Sequence, residues 1–296
     1  MRLSVFFAII AGLLQITQDV GKMKRIVSKL FAAGLALTAT VCMSASCSKK
    51  NEASAEGPFS CLSQKGKFIL GLDDSFPPLG FRDENNNIVG YDIDLAKEVA
   101  KRLNLELVCQ PIEWSAKEQE LATKKIDCIW NGFTMTDERK DAMAFTKAYL
   151  DNAQVAVVRI DGNINSLSEL AGKTIGIQAG SSAQDAVEAM PEFKASLGEI
   201  VELKENITAL NDLTLGNLDA VIMDQVVAGY NITTSGKALK ILSEGLANEE
   251  YGVAFRKGDT ALRDKVQAVL EEMQNDGTVS AISTKWFGSD LSVIGK

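Results

Sequence analysis

Histidine is absent from all 296 residues. That removes the commonest general acid–base group and the commonest metal ligand. Cysteine is scarce: Cys42, Cys47, Cys61, Cys109 and Cys128 form no Cys-x-x-Cys pair, so zinc-type spacing is missing as well. No metal and no cofactor is expected. No Gly-x-Ser-x-Gly and no Gly-x-Gly-x-x-Gly occurs. The triplet Gly172-Lys173-Thr174 lacks the earlier glycine of a phosphate loop, because that position is Leu167. Together these absences weigh against an enzyme. Only 5 prolines, with 46% hydrophobic and 24% charged residues, exclude a disordered chain. Positive charge is also short. Residues 1–46 hold five basic side chains and one acid, which leaves 26 Lys and Arg against 38 Asp and Glu, a net −12, in the rest. So acidic a body repels nucleic acid, where basic patches dominate affinity, and is compatible with small ligands. Beyond the N-terminus no run of 18 apolar residues exists to span a membrane.

The N-terminus reads as an address. Apolar stretches at 3–16 and 31–41 are separated by Asp19, Lys22, Lys24 and Arg25. The basic region 22–29, the second apolar stretch and Ser44-Ala45-Ser46-Cys47 form a secretory signal, conventional in length if counted from Met23. The small residues before Cys47 resemble a bacterial lipoprotein cleavage box, with Ser44 where leucine is usual. In that reading Cys47 is the lipidated first residue; simple cleavage without lipid is the alternative. Residues 1–46 are thus a signal region and 47–57 a polar tether. Export permits disulfides. Cys109 and Cys128 lie in strand-like runs and read as buried free thiols, while a bridge to Cys61 stays open.

The body alternates strand and helix patterns, which argues an α/β fold with mostly parallel sheets. Strand patterns fall at Lys67–Leu72, 105–109, 126–130, 154–158, Thr174–Gln178, 200–203, 220–223 and 251–256. Helical spacing falls at 92–103, 118–123, 183–189, 208–215, 262–273 and 282–287, with Asp92 as an N-cap and Ser166-Leu167-Ser168-Glu169 as a capping box. Ligands of open parallel sheets bind beyond the C-terminal strand ends. Asp73, Thr134, Ser181 and Asp224 stand there.

Each chemical candidate has a plainer alternative. Gly180-Ser181-Ser182, between strand and helix, suits an anion such as a carboxylate, or Ser181 or Ser182 is an ordinary N-cap. Arg139 suits bidentate grip of a carboxylate, or is a surface side chain paired with Glu138 or Asp141. Asp224 suits an ammonium group, or caps the next helix. Phe76 and Trp114 are walls for a ligand side chain, or core.

Taken together, these segments resemble family 3 solute-binding proteins of polar amino-acid ABC transporters, over about Lys65 to Gly288. The resemblance rests on Gly71-Leu72-Asp73-Asp74-Ser75-Phe76-Pro77-Pro78, on Gly90-Tyr91-Asp92-Ile93-Asp94-Leu95-Ala96, and on the run from Ile126 through Asn131-Gly132-Phe133-Thr134-Met135-Thr136-Asp137-Glu138-Arg139. It continues in Gly172 to Ser182, Leu218-Asp219-Ala220-Val221-Ile222-Met223-Asp224, Asp276-Gly277-Thr278 and Lys285-Trp286-Phe287-Gly288.

The resemblance implies a type II periplasmic binding fold: two lobes, each a mostly parallel sheet flanked by helices, joined by a two-strand hinge. Residues 58–153 plus 249–296 would form lobe 1 and 154–248 lobe 2, with hinge strands near 152–157 and 247–252. It implies that Arg139, with the N–H groups of Thr134 and Ser182, holds the ligand α-carboxylate. Asp224, the Gly132 carbonyl and the Thr134 hydroxyl would hold the α-ammonium. Asp73, Phe76 and Trp114 would line the side-chain pocket, and 90–96 would be structural. A zwitterion would then bridge the lobes and favour closure. The implied protein is a periplasmic or extracytoplasmic monomer, held to the membrane through lipidated Cys47, that hands a polar L-amino acid to an ABC permease in the inner membrane. Asp73 and Asp74 lean towards a basic side chain, while Asp73 also fits an amide and Asn131 a neutral polar group. An amino-acid sensor lipoprotein is the alternative. A dehydratase-type enzyme on the same fold would need an acid or base, for which Glu113 beside Trp114 is the candidate.

Overall fold

The structure is a computed structural model and describes residues 59–296, which belong to one compact unit. The signal region, the tether and Cys47 lie outside the described residues. Along the chain run β1 (Lys67–Leu72), β2 (Ser75–Phe76), β3 (Gly80–Arg82), β4 (Ile88–Val89), α1 (Tyr91–Arg102), β5 (Glu106–Pro111), α2 (Lys117–Ala122), β6 (Cys128–Ile129), α3 (Asp137–Ala142), β7 (Met143–Phe145) and β8 (Leu150–Arg159). Then follow β9 (Thr174–Gln178), α4 (Ser182–Glu188), α5 (Pro191–Ser196), β10 (Glu199–Leu203), α6 (Asn206–Leu215), β11 (Ala220–Asp224), α7 (Gln225–Ser235), β12 (Leu239–Tyr251), β13 (Ala254–Arg256), α8 (Thr260–Asn275) and α9 (Thr278–Phe287).

These build an α/β fold of two lobes. The first sheet has the order β5-β1-β6-β13-β7 and the second β10-β9-β11-β8-β12. In each, three strands pair in parallel, and the other two are added through antiparallel pairings. Four strands of each sheet therefore point the same way. The interior strands β1 and β11 are buried on both faces, which is why they read as apolar runs without alternation. Helix α1 lays Ile93, Ala96, Val99 and Ala100 on the first sheet's core with α8 and α9 beside it. Cys109 and Cys128 are free thiols on β5 and β6, flanking Leu70 of β1.

The chain crosses from the first sheet to the second at β7–β8 and returns at β12–β13. The two crossings run side by side, with Asn152 opposite Glu249 and Gln154 opposite Ala247. That ladder is the hinge. Paired backbone strands can bend without losing their hydrogen bonds, the geometry of a hinge.

Several expectations need correcting. Asp92 does not cap α1; the cap position is Gly90, and the Asp92 side chain is fully buried elsewhere. Ser166 makes no capping bond, although Glu169 does accept from the Asn165 N–H at 2.6 Å, and the segment is a 3-10 turn, Leu167–Leu170. The strand expected at 251–256 is two strands, because β12 ends at Tyr251 and β13 begins at Ala254.

Candidate ligand-binding cleft

The C-terminal ends of β1, β6, β9 and β11 meet where the lobes face each other. Several bonds cross between them. Gln178 Nε2 donates to Asp73 Oδ2 at 2.7 Å, Lys117 Nζ donates to the Gly180 carbonyl at 2.8 Å, and the Thr134 and Ser182 hydroxyls lie 3.0 Å apart. At the rim Lys204 and Glu113 pair at 3.3 Å. The lobes are therefore closed, and Asp73, Phe76, Trp114, Thr134, Arg139, Ser181, Ser182 and Asp224 are all buried.

Arg139 marks one end of the cleft. Thr136 caps α3 by accepting the Arg139 N–H at 3.3 Å, which fixes Arg139 in the first turn. Its Nη1 donates to the Thr134 carbonyl at 3.1 Å, its Nη2 lies 3.5 Å from the Gly180 carbonyl, and the guanidinium sits 4.5 Å above the Phe133 ring. The closest carboxylate is that of the exposed Asp185, at 3.9 Å; neither Glu138 nor Asp141 pairs with it. Burial pushes the Arg139 pKa down, while Asp185, Glu118, Glu249 and Asp224 push it back up. A guanidinium only 7% exposed, with carbonyls for partners, lacks a tight counter-ion.

Asp224 marks the other end. It stands at the cap position of α7 but makes no side-chain capping bond. Its Oδ1 instead accepts from Asn152 Nδ2 at 2.8 Å, Gln154 Nε2 at 3.0 Å and the Tyr251 hydroxyl at 2.6 Å. All three donors are neutral. Burial raises the Asp224 pKa, and the nearby Glu249 adds to the rise. Between the two ends the polar groups are continuous. Thr134 Oγ1 donates to Glu249 Oε2 at 3.0 Å, and the same oxygen accepts from Asn152 and Gln154, which also hold Asp224. Arg139 and Asp224 thus terminate one buried network that passes from lobe to lobe.

Other residues position these groups. Gly132 has φ +57°, and a Cβ there would lie 2.5 Å from Leu79 Cδ1, so this turn requires glycine. Its N–H donates to Asp92 Oδ2 at 2.7 Å, and the Tyr149 hydroxyl donates to the same oxygen at 2.9 Å. Burial pushes the Asp92 pKa up to about 7 against these two stabilising bonds. Residues 90–96 therefore act structurally, by fixing the loop that carries Gly132 and Thr134. Asn131 Oδ1 accepts the Asp73 N–H at 3.0 Å and its amide nitrogen has no partner, so Asn131 supports Asp73 from behind. Asp73 itself is occupied by Ser75 and Gln178. Phe76 packs beside Gly132, and Trp114 stands edge-on to Phe133 at 5.7 Å. The Ser181 hydroxyl donates to the Gln178 carbonyl at 2.7 Å, which shapes the turn and does not cap α4. Glu113, the one acid–base candidate, is engaged by Lys204 at the rim.

Sequence reasoning missed Lys117, Asn152, Gln154, Gln178 and Glu249. Gln178 shared its signal with Asp73 and Asp224, a polar residue closing an apolar strand. Lys117 reads as a solvated helix residue, yet it is 3% exposed and lies 5.2 Å from the Trp114 ring centroid. Burial, then the neighbouring Arg139, pushes its pKa down to about 8.

Two lobes that close on a hinge over a cleft with unmatched charge at both ends define a solute-binding protein of the type II periplasmic fold. The chain belongs to the bacterial extracellular solute-binding proteins, family 3, whose pattern matches residues 68–289. It is 29% identical over 239 residues to the L-cystine-binding protein TcyJ of Escherichia coli K12, covering 80% of this chain and 88% of that protein. It is 31% identical over 245 residues to the arginine-binding extracellular protein ArtP of Bacillus subtilis 168, covering 81% and 91%. The crystal structure of an ABC uptake transporter substrate-binding protein from Streptococcus pneumoniae with bound histidine superposes with a TM-score of 0.77 at 35% identity, covering 80% and 98%. The protein is accordingly a substrate-binding protein of the kind that serves ABC importers, and not an enzyme.

Proposed function

We propose that this protein captures a polar L-amino acid as a zwitterion between its lobes and delivers it to an ABC permease in the inner membrane. The observation that carries the reading is the buried network whose two ends are a cation short of an anion and an acid short of a cation. Arg139 takes the α-carboxylate, with the N–H groups of Thr134 and Ser182. Asp224 takes the α-ammonium, with the Gly132 carbonyl and the Thr134 hydroxyl. The ligand side chain runs between Phe76 and Trp114 towards a cavity of about 260 Å³ lined by Asp73, Asp74, Glu113, Trp114, Lys204 and Glu205. Four carboxylates against one lysine there support a polar side chain and favour a basic one. Relatives that bind arginine, histidine and cystine support the same class.

In this reading the protein works outside the inner membrane as a monomer, held to the membrane by lipid on Cys47. The small residues Ser44-Ala45-Ser46 before that cysteine support the anchor. No helix among the described residues is long and apolar enough to cross a membrane. A thermal-shift screen of the twenty common L-amino acids and L-cystine tests the proposal. One or a few polar amino acids should raise the melting temperature, since a ligand bound only by the folded state stabilises it by mass action. A screen in which none does, or in which only apolar ones do, contradicts it.

A further inference from the structure

Glu249 has no counterpart in the roles assigned above. It lies on β12 in the hinge ladder, half-buried, yet its carboxylate reaches into the cleft. Oε2 accepts from Thr134 Oγ1, Asn152 Nδ2 and Gln154 Nε2, each at 3.0 Å, and lies 3.4 Å from Ser182 Oγ. Asn152 Nδ2 and Gln154 Nε2 also serve Asp224 Oδ1, at 2.8 and 3.0 Å. Two carboxylates therefore share two amide donors, which holds like charges close together in a buried place. Among the described residues no lysine or arginine pairs with either acid, and Arg139 pairs with Asp185. Gln154 supplies a second, independent sign. It is 0% exposed, and its Oε1 is an acceptor without a partner. Flipping the amide does not help, because that turns the oxygen towards both acids. An amide whose nitrogen is shared by two carboxylates while its oxygen goes unpartnered leaves the cluster short of N–H donors.

We propose that Glu249 pairs with Asp224 to form a two-acid seat for the ligand ammonium, and that the ammonium enters in exchange for a proton held on Asp224. The inference rests on the amino-acid reading of the cleft and deepens it. In the empty site two adjacent ionised carboxylates repel, so one carries a proton. An arriving ammonium brings one positive charge to both acids. Asp224 then ionises, and its proton leaves to solvent. Thr134 joins the two functions: its hydroxyl donates to Glu249, which leaves its lone pairs for the ammonium. The cavity that Glu249 lines also carries Asp137, Lys140, Asp151, Asp185 and Glu250, while the groups on the Asp224 side are fewer. Tyr251 donates to Asp224 from β12, and Tyr149 lies behind it at 6.3 Å between ring centroids. Arg139 on α3 is held across the cleft, with Asp185 of α4 and Glu118 of α2 drawing on it. Burial and Glu249 act in the same direction on Asp224, both favouring its protonated form before ligand arrives.

The test is calorimetry with the amino acid that gives the largest thermal shift in the screen, in two buffers of different ionisation heat at each pH: acetate and MES near pH 5.5, phosphate and imidazole from pH 6 to pH 8. The dependence of the heat on buffer gives the protons released on binding. The wild-type protein should release up to one proton per ligand below neutral pH, and the release should fade as pH rises. Glu249→Gln keeps an acceptor and the volume but removes the charge. It should bind at least about tenfold more weakly at pH 8, the scale of losing one close charge pair. It should also move the proton-release profile to lower pH, because Asp224 no longer faces a neighbouring anion. Binding without proton release in the wild type overturns the inference even if the variant does not fold. So does an unchanged profile and affinity in a folded Glu249→Gln protein. If no amino acid binds at all, the amino-acid reading itself fails, and the inference falls with it.

Discussion

At the scale of single residues, burial makes Arg139 and Asp224 informative. A charged side chain leaves water only at a cost, and a tight ion pair is the usual compensation. Arg139 has carbonyls and Asp224 has neutral donors, so each keeps most of its attraction for a ligand group of opposite charge. Replacing Arg139 with alanine should therefore weaken amino-acid binding by about 2–5 kcal/mol, the cost of truncating one partner of a buried charge pair. Isothermal titration calorimetry reads this directly, and an unchanged affinity would remove Arg139 from the site. Lysine should not rescue it, because the planar fork that reaches two oxygens is lost. Asp224 was legible as a polar residue closing an apolar strand, and Arg139 through the family segment that runs from Ile126 to Arg139. Glu249 was not. Its place in the cleft follows from pairing with Asn152 across nearly a hundred residues of chain, and nothing local in Asn248-Glu249-Glu250 marks which acid turns inward.

At the scale of elements, the loop after β6 shows how the scaffold presents a site. Gly132 supplies the positive φ, and Asp92 and Tyr149 tie its N–H in place. Asp92→Ala would orphan buried donors on Gly132 and Tyr149 and should cost about 1–3 kcal/mol of stability. Asp92→Asn keeps an acceptor and should cost less. The two also differ in pH dependence. Burial raises the Asp92 pKa from 3.8 unfolded to about 7 folded. The protonated form is thus favoured by folding, so its contribution is fully present below pH 3.8 and is lost as pH rises through 7. Urea denaturation at pH 5 and pH 8 should show the wild type losing more stability over that interval than Asp92→Asn does; equal losses would mean that Asp92 does not titrate this way.

Most elements were readable because their apolar runs are short and bounded. The short β2, β3, β4, β7, α3 and α5 were not, nor were helix α7 and the first half of β12. Residues 225–235 contain Val226, Val227, Ile232, Thr233 and Thr234 with Gly229, a composition that favours helix weakly and shows no clear apolar stripe. Strand β12 carries register shifts between Ile241 and Ala247, which break the two-residue alternation that identifies a strand. Packing against β8 and the rest of the second lobe decides both.

At the scale of the whole molecule, function is the coupling of two lobes through one ligand. The direct bonds between them include one amide to Asp73, one lysine and Arg139 to the Gly180 carbonyl, a hydroxyl pair, the Asn152 and Tyr251 bonds to Asp224, and an exposed rim ion pair screened by solvent. A ligand that satisfies a buried cation on one side and a buried acid on the other adds what these bonds lack, and it does so only when the lobes are together. The two-lobe order was legible because the family segments occur in sequence from Gly71 to Gly288. The cross-lobe partners Gln178 and Lys117 were not, since they meet only on closure.

On the proposed reading Arg139 and Asp224 hold opposite ends of the same small molecule. The most direct measurement is a binding cycle: the wild type and Arg139→Ala, each titrated with the bound L-amino acid and with its decarboxylated amine. The amine should bind the wild type far more weakly than the amino acid does, and the variant should not discriminate between the two, because residue and carboxylate belong to one contact. Losses that simply add, with the variant still preferring the amino acid by the wild-type factor, would contradict the account.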